Sequence, residues 1–217
     1  MAIEQELRRK VRYEEFDYQL LLDVLRPYSQ PRDKITKLIR EGVIIRVKKG
    51  LYVFGRDFAR GPYSPEILAN LVYGPSYLSL DYALSYYGMI PERVESFTSV
   101  TSGKNRAFET PVGRFTYQSV ALAYYRVGID AIEAGDGRSF LMATREKALA
   151  DKVYQGEGCS DVRSADDVQA YLLGHLRIDP ASLSQLSYPR MAEITGRSRS
   201  KRLSLLSEFV KAGQESS

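Results

Sequence analysis

Apolar residues recur at helical spacing near the start of this 217-residue chain. One face of residues 14–25 carries Phe16, Leu20, Leu21, Val24 and Leu25. This spacing predicts an amphipathic helix that ends before Pro27. A second helix is predicted from Arg32 to Glu41, because Pro31 suits the first position of a helix. Gly42 follows where a left-handed C-cap is expected.

After Gly42 the spacing of apolar residues changes from that of a helix to that of extended strands. Residues 43–47 read as a strand, 48–50 as a tight turn and 51–54 as a returning strand, with Gly50 supplying the positive φ of a short hairpin. Helix, short turn, helix and basic hairpin is the order of a winged helix-turn-helix. Such a unit places its second helix in the major groove of DNA and its hairpin against phosphates.

Positive charge is concentrated in the same region. Residues 26–56 hold nine lysines and arginines against two acidic residues, whereas residues 61–189 hold 11 basic residues against 15 acidic ones. A basic head joined to an acidic middle is typical of a protein with one module that faces nucleic acid. A solvated charged face is the alternative interpretation of a charge run taken by itself.

The rest of the chain mixes helical and extended patterns. Gly-Pro and Ser-Pro pairs mark residues 56–65 as the linker, and helices are predicted over 66–72, 79–87, 144–154, 164–173 and from residue 188. Strands are predicted over 97–101 and 114–120. The predicted fold is α+β, with an N-terminal winged helix-turn-helix domain at 1–58 and a larger mixed α+β domain at 59–217.

Four segments in order over residues 32–154 resemble one known family. They are Ile35 to Tyr52, with its basic-Gly-Leu-Tyr hairpin; Pro75 to Leu84, followed by Gly88 to Glu92; Thr98 to Arg106, followed by Thr110 to Tyr117; and Ala143 to Tyr154, with its Glu-Lys-Ala-Leu-x-Asp helix. Together they are similar to the AbiEi family of antitoxins. The resemblance implies a winged helix that binds promoter inverted repeats and represses its own operon. It also implies a C-terminal domain that neutralises a nucleotidyltransferase-type toxin.

The sequence and the resemblance together predict the DNA contacts. Helix residues Thr36, Lys37 and Arg40 are expected at or near base edges, and Arg32 and Lys34 at phosphates. Hairpin residues Arg46, Lys48 and Lys49 are expected at phosphates as well. We expect double-stranded DNA as partner, self-association on DNA, no cofactor, no metal and no membrane contact.

Two further polar stretches are candidates for contacts with a partner. Lys104 and Arg106 form a basic segment that suits a phosphate or a toxin surface, or is simply an exposed loop. The run Arg197, Arg199, Lys201 and Arg202 is a candidate second basic patch, or the solvated start of a terminal helix. Tyrosines crowd residues 73–87 and 124–125, where packing or a protein interface is favoured over stacking on bases.

Catalysis is not expected. Glu146 and Asp151 are the carboxylates to test for a metal-dependent nuclease, but with Lys147 and Lys152 they are predicted on the outside of a helix capped by Thr144. The single cysteine, Cys159, permits neither an internal disulfide nor a cysteine zinc site, and the single histidine, His175, is expected at a helix end. These features favour a cytoplasmic protein. A winged-helix adaptor that binds protein rather than DNA is the main alternative.

Overall fold

The computed structural model describes residues 3–156 and 162–215, so Cys159 lies outside the described residues. The fold is mixed α+β, as the sequence predicted. Within the described ranges, no helix has both the length and the apolar character needed to cross a bilayer.

The N-terminal portion, residues 3–60, contains three helices and a three-stranded antiparallel sheet. In chain order its elements are α1 (Ile3–Lys10), β1 (Glu15–Asp17), α2 (Tyr18–Leu25), α3 (Pro31–Arg40), β2 (Ile44–Lys48) and β3 (Leu51–Phe54). The strand order is β1-β3-β2. A small core of its own holds the helices on this sheet, and its members include Leu7, Leu21, Leu25, Leu38 and Phe54.

The predicted first helix begins later than its apolar spacing indicates. Residues 15–17 form β1 and pair with β3, so Phe16 lies in a strand. Asp17 caps α2 instead, since its Oδ1 accepts a hydrogen bond from the Leu20 N–H at 2.9 Å. Phe16 is held in this strand by the packing of its ring on the Phe54 ring, with the two centroids 4.8 Å apart.

The second helix and the hairpin agree with prediction. Pro31 occupies the first turn of α3, and Gly42 adopts φ +69 beyond its end. The N–H of Val43 donates to the Leu38 carbonyl, which closes a Schellman-type cap. Gly50 adopts φ +90 in the turn between β2 and β3.

The C-terminal portion is built on a six-stranded mixed sheet of order β6-β7-β5-β4-β9-β8. Its strands are β4 (Ser76–Leu78), β5 (Phe97–Thr101), β6 (Arg106–Thr110), β7 (Gly113–Ser119), β8 (Ile129–Glu133) and β9 (Ser139–Ala143). Its helices are α4 (Pro65–Val72), α5 (Leu80–Tyr86), α6 (Leu122–Tyr125), α7 (Arg145–Gln155), α8 (Ala165–Gln169), a π-helical segment (Ala170–His175), α9 (Pro180–Ser184), α10 (Tyr188–Thr195) and α11 (Lys201–Glu215).

Helices cover both faces of this sheet. Tyr117, on β7, donates its hydroxyl to the Ala69 carbonyl of α4 at 2.6 Å. Tyr77, on β4, points to the opposite face and donates to Asp151 of α7 at 3.0 Å. Successive strand residues alternate between faces, so α4 and α7 enclose the sheet between two layers.

The hairpin joins the two portions. Val47, Leu51 and Val53 belong to the large core of the C-terminal portion. Tyr52 and Phe54, on the same strand as Leu51 and Val53, belong to the small N-terminal core. The two faces of the hairpin therefore pack against different cores.

The prediction that α7 carries its charges on the outside is wrong. Glu146, Lys147, Asp151 and Lys152 are all buried, and Lys147 and Asp151 are completely so. Thr144 does cap the helix, as predicted, by accepting from the Lys147 N–H at 3.2 Å. The helix runs through the middle of the larger core, where α5, α10 and α11 pack around it.

Other local expectations are confirmed or corrected. Ser164 and Asp167 form a reciprocal capping box at α8. Ser79 stands at the N-cap of α5 but makes no capping hydrogen bond, and its hydroxyl donates to Asp151 at 2.7 Å. Strands β4, β6, β8 and β9 were not predicted.

Candidate nucleic-acid interface

Helix α3 presents a polar, mostly basic face to solvent. Ile35 and Leu38 are buried, whereas Arg32, Thr36, Lys37 and Arg40 are exposed. The Thr36 hydroxyl donates to the Arg32 carbonyl at 3.1 Å. Lys37 Nζ lies 3.6 Å from the Glu41 carboxylate, a pair that is open to water and therefore weak. These side chains are available to an external ligand.

A groove of about 660 Å³ lies between the start of α3 and the hairpin, and we call it the wing groove. Its lining residues are Tyr18, Arg32, Arg46, Lys49, Gly50 and Tyr52. The three cations come from three elements, namely α3, β2 and the β2–β3 turn. None of these six residues of the described chain carries a carboxylate, so the groove is purely basic.

Backbone and ring contacts fix the shape of the wing groove. The Tyr18 N–H donates to the Gly50 carbonyl at 2.9 Å, which ties the start of α2 to the hairpin turn. Arg46 stands opposite Tyr52 in the β2–β3 pairing. The Tyr52 ring stacks on Phe16, with centroids 6.2 Å apart. Burial raises the pKa of Tyr52, and the nearby Arg46 opposes this shift.

Lys48 and Lys34, both predicted as phosphate contacts, are partly buried, unlike the exposed Arg32, Arg46 and Lys49. The Lys48 ammonium donates to the Val72 carbonyl at the end of α4, and burial lowers its pKa. Lys48 therefore serves the contact between the hairpin and the C-terminal portion rather than facing solvent with Lys49. Lys34 is half-buried, with Nζ 5.4 Å from the centroid of the Tyr28 ring.

The basic loop of the C-terminal portion lies next to the hairpin contact. Lys104 and Arg106 are both exposed. The Lys104 N–H donates to the Tyr73 hydroxyl at 3.2 Å, and Tyr73 directly follows the Val72 carbonyl that holds Lys48. The loop and the hairpin are thus joined through one short stretch of chain.

The C-terminal basic run lies near the end of α7. The Asn105 amide oxygen accepts from the Ser119 N–H at 2.7 Å, and Gln155 donates to the Ser119 carbonyl at 3.4 Å. Arg202 reaches the neighbouring Tyr154 carbonyl at 3.4 Å. Arg197, Arg199 and Lys201 are exposed beside it.

The candidate nuclease carboxylates are occupied and point to different partners. Glu146 accepts from the Ser187 N–H at 2.8 Å, whereas Asp151 lies 3.1 Å from Lys147 and accepts from Tyr77 and Ser79. Burial lowers the pKa of Lys147, while Asp151 opposes the shift. Among the described residues, no three His, Cys, Asp or Glu side chains are grouped to hold a metal ion.

The remaining candidates differ in burial, and His175 and Tyr86 are exposed. Tyr77 and Tyr124 are buried in the large core, as the packing interpretation of the tyrosines predicted, while Tyr86 is half-exposed. His175 ends the π-helical segment and stacks on Tyr171, with centroids 5.2 Å apart.

Comparison of the chain with models of known protein families and with curated proteins finds no match. Among the residues of the wing groove, sequence reasoning missed Tyr18 and Tyr52. The position of Tyr52 follows from the hairpin register, which sets it opposite Arg46. Tyr18 lacks such a signal, because its approach to Gly50 depends on where β1 pairs.

Proposed function

We propose that this chain is a DNA-binding transcriptional repressor of the AbiEi antitoxin type, which regulates its own toxin–antitoxin operon. In this proposal α2, α3 and the β2–β3 hairpin act as a winged helix-turn-helix. The observation that carries it is the convergence of Arg32, Arg46 and Lys49 on one groove beside the exposed face of α3. Charge-assisted hydrogen bonds from guanidinium and ammonium groups suit phosphate oxygens.

In this proposal α3 contacts the base edges and the wing groove contacts the sugar-phosphate backbone. Thr36, Lys37 and Arg40 face outward from α3, where side chains of a helix in the major groove meet base edges. Arg32, Arg46 and Lys49 would hold the sugar-phosphate backbone and set the register of the helix. Lys48 is left out of this set, because its ammonium is bound to Val72.

Two basic patches of the C-terminal portion extend the same proposal. Lys104 and Arg106 lie in the loop that contacts Tyr73, and Arg197, Arg199, Lys201 and Arg202 lie near the end of α7. Both patches are proposed as further contacts for phosphates of a longer duplex. Neutralisation of a nucleotidyltransferase-type toxin would fall to the C-terminal portion, which carries the acidic majority of residues 61–189.

Fluorescence anisotropy tests this proposal, with the duplex upstream of the gene compared with a scrambled duplex. We expect wild type to prefer the native duplex and Lys37→Ala/Arg40→Ala to lose that preference, since base contacts carry specificity. Arg93→Ala/Lys211→Ala removes the same charge from exposed positions elsewhere and should keep it. Absence of binding to either duplex at ~50 mM salt, where non-specific contacts are strong, would favour the protein-binding adaptor instead.

A further inference from the structure

A second groove, of about 550 Å³, lies between residues 62–66 and the β8–β9 hairpin, and we call it the hairpin groove. Its aromatic lining consists of Tyr63, Tyr86 and Phe140. Tyr86 is 50% exposed, although its ring meets Tyr87 edge-on at 5.5 Å and Phe140 at 6.4 Å. The fold therefore holds an uncovered aromatic ring in a fixed orientation.

The charges that line the hairpin groove are mainly negative. Glu66 accepts hydrogen bonds from the hydroxyls of Tyr82 and Ser64, so its carboxylate is held at the wall. Glu133 is exposed at the end of β8. Asp136 accepts from Arg138 Nε at 2.8 Å, and Arg138 is the one cation among the described lining residues. Three carboxylates against one guanidinium exclude a polyanion and suit a cation.

The chain already holds its own guanidinium groups in this way. Arg138 lies 4.2 Å from the centroid of the Tyr13 ring, with the carboxylates of Glu15 and Asp136 at its edges. Arg8 lies 3.9 Å over the Phe54 ring and pairs with Glu14. An aromatic face with a carboxylate beside it satisfies both the ring attraction and the hydrogen bonds of a planar guanidinium.

We propose that the hairpin groove binds an arginine side chain of a basic protein partner, with its guanidinium stacked on Tyr86 and paired with Glu133. Charge complementarity selects the cation, and the half-exposed ring selects a planar guanidinium over a compact ammonium. Two stretches of chain, residues 62–66 and 133–136, line the groove. This site does not depend on the DNA-binding proposal.

The test is a titration of the ¹⁵N-labelled full chain with the tripeptide Gly-Arg-Gly, followed through amide resonances. Gly-citrulline-Gly is the matched ligand, because citrulline keeps the shape of arginine and lacks its charge. We expect saturable shifts at the amides of Tyr86 and Gly135. The citrulline peptide should bind at least about five times more weakly, the loss expected for a cation–π contact together with an ion pair.

Two variants and one control locate the site. Tyr86→Leu and Glu133→Gln should each weaken Gly-Arg-Gly binding by a factor of about two to five. Glu95→Gln removes an exposed carboxylate outside the groove and should leave binding unchanged. The spread of amide resonances verifies that each variant is folded.

Several outcomes would overturn the proposal. They are the absence of saturable shifts, equal binding of the citrulline peptide, and shifts confined to other surfaces. Tighter binding of spermidine with the same dependence on Glu133 would assign the groove to a free polyamine. Self-association in sedimentation velocity that Tyr86→Leu abolishes would assign the groove to a second copy of the chain.

Discussion

The carboxylate of Glu15 lies 2.5 Å from the guanidinium of Arg138, although 123 positions separate the two residues. The Glu15 side chain is fully buried, and it also accepts the Ser64 N–H. This pair fastens β1, which precedes the candidate DNA-reading helices, to the β8–β9 hairpin of the larger sheet. It therefore sets how the N-terminal portion is held against the rest of the fold.

Removal of Arg138 should destabilise the whole fold. Arg138→Ala leaves the Glu15 carboxylate buried without its counter-charge, which typically costs about 3 kcal/mol of unfolding free energy. Urea denaturation measures this loss. Asp136→Ala breaks only the exposed half of the cluster and serves as the control, with a much smaller effect. Equal losses in the two variants would show that Glu15 does not depend on Arg138.

The buried pair in α7 should show strong coupling. Lys147→Met leaves the Asp151 charge uncompensated at a position with no solvent access, and we expect a loss of about 3–5 kcal/mol. Lys147→Met/Asp151→Asn should lose less than Lys147→Met alone. The neutral amide still accepts the hydrogen bonds of Tyr77 and Ser79 without a buried charge. A double variant as unstable as the sum of its singles would contradict this account.

Stability should fall in alkaline solution because of the buried tyrosines. Burial, with nearby carboxylates, raises the pKa of Tyr87 to about 12 from 10.0 and also raises those of Tyr77 and Tyr124. Between pH 10 and pH 12 the unfolded chain has released these protons and the folded chain still holds them. Unfolding free energy is therefore lost as pH rises through that window.

The urea midpoint at pH 8, 10 and 11 measures this loss, together with tyrosinate absorbance. Tyr87→Phe should make the urea midpoint depend less on pH, because the variant lacks the proton that Tyr87 retains in the folded chain. A midpoint that stays constant up to pH 11 would contradict the prediction.

Two glycines with positive φ should differ in their tolerance of a methyl group. A Cβ at Gly128 would lie 2.8 Å from both Ile194 Cδ1 and Lys147 Cβ, whereas one at Gly137 would meet open space. Gly137→Ala should cost about 1 kcal/mol for its left-handed backbone. Gly128→Ala should cost about 3 kcal/mol, because overpacking is added. Equal thermal unfolding temperatures in the two variants would contradict the packing shown around Gly128.

The neighbouring lysines of the hairpin should separate stability from DNA binding. Lys49→Met should flatten the slope of log affinity against log salt by about 1, as one lost phosphate contact predicts. Lys48→Met should leave that slope unchanged and lower the urea midpoint, because the Lys48 ammonium is bound to Val72. The reverse pattern would show that Lys48 is the phosphate contact.

Local signals were sufficient for some of these features. Pro31, Gly42 and Gly50 each impose a backbone conformation, so α3 and the hairpin turn could be predicted from the residues themselves. The outward face of α3 followed from its helical period. The capping box of Ser164 and Asp167 could likewise be predicted, because both residues lie within one four-residue stretch.

Features that depend on tertiary contacts could not be predicted. The charge pattern of α7 is that of a surface helix, yet the helix is buried, and Tyr77 of β4 and Ser79 at the N-cap of α5 both donate to Asp151. Strand β4 has three residues and lacks a period of its own. Lys48 and Lys49 are adjacent residues of the same type, so the sequence does not show which of them faces solvent. Their roles differ because the hairpin packs on α4, where the Lys48 ammonium donates to Val72.

The central claim is that the wing groove holds DNA phosphates, and its most direct test is the salt dependence of binding by Arg32→Ala/Arg46→Ala. Both side chains line the wing groove. We predict that the slope of log affinity against log salt flattens by about 2, on native and scrambled duplexes alike, because phosphate contacts release counterions whatever the sequence. A folded variant with the slope of wild type would contradict the claim.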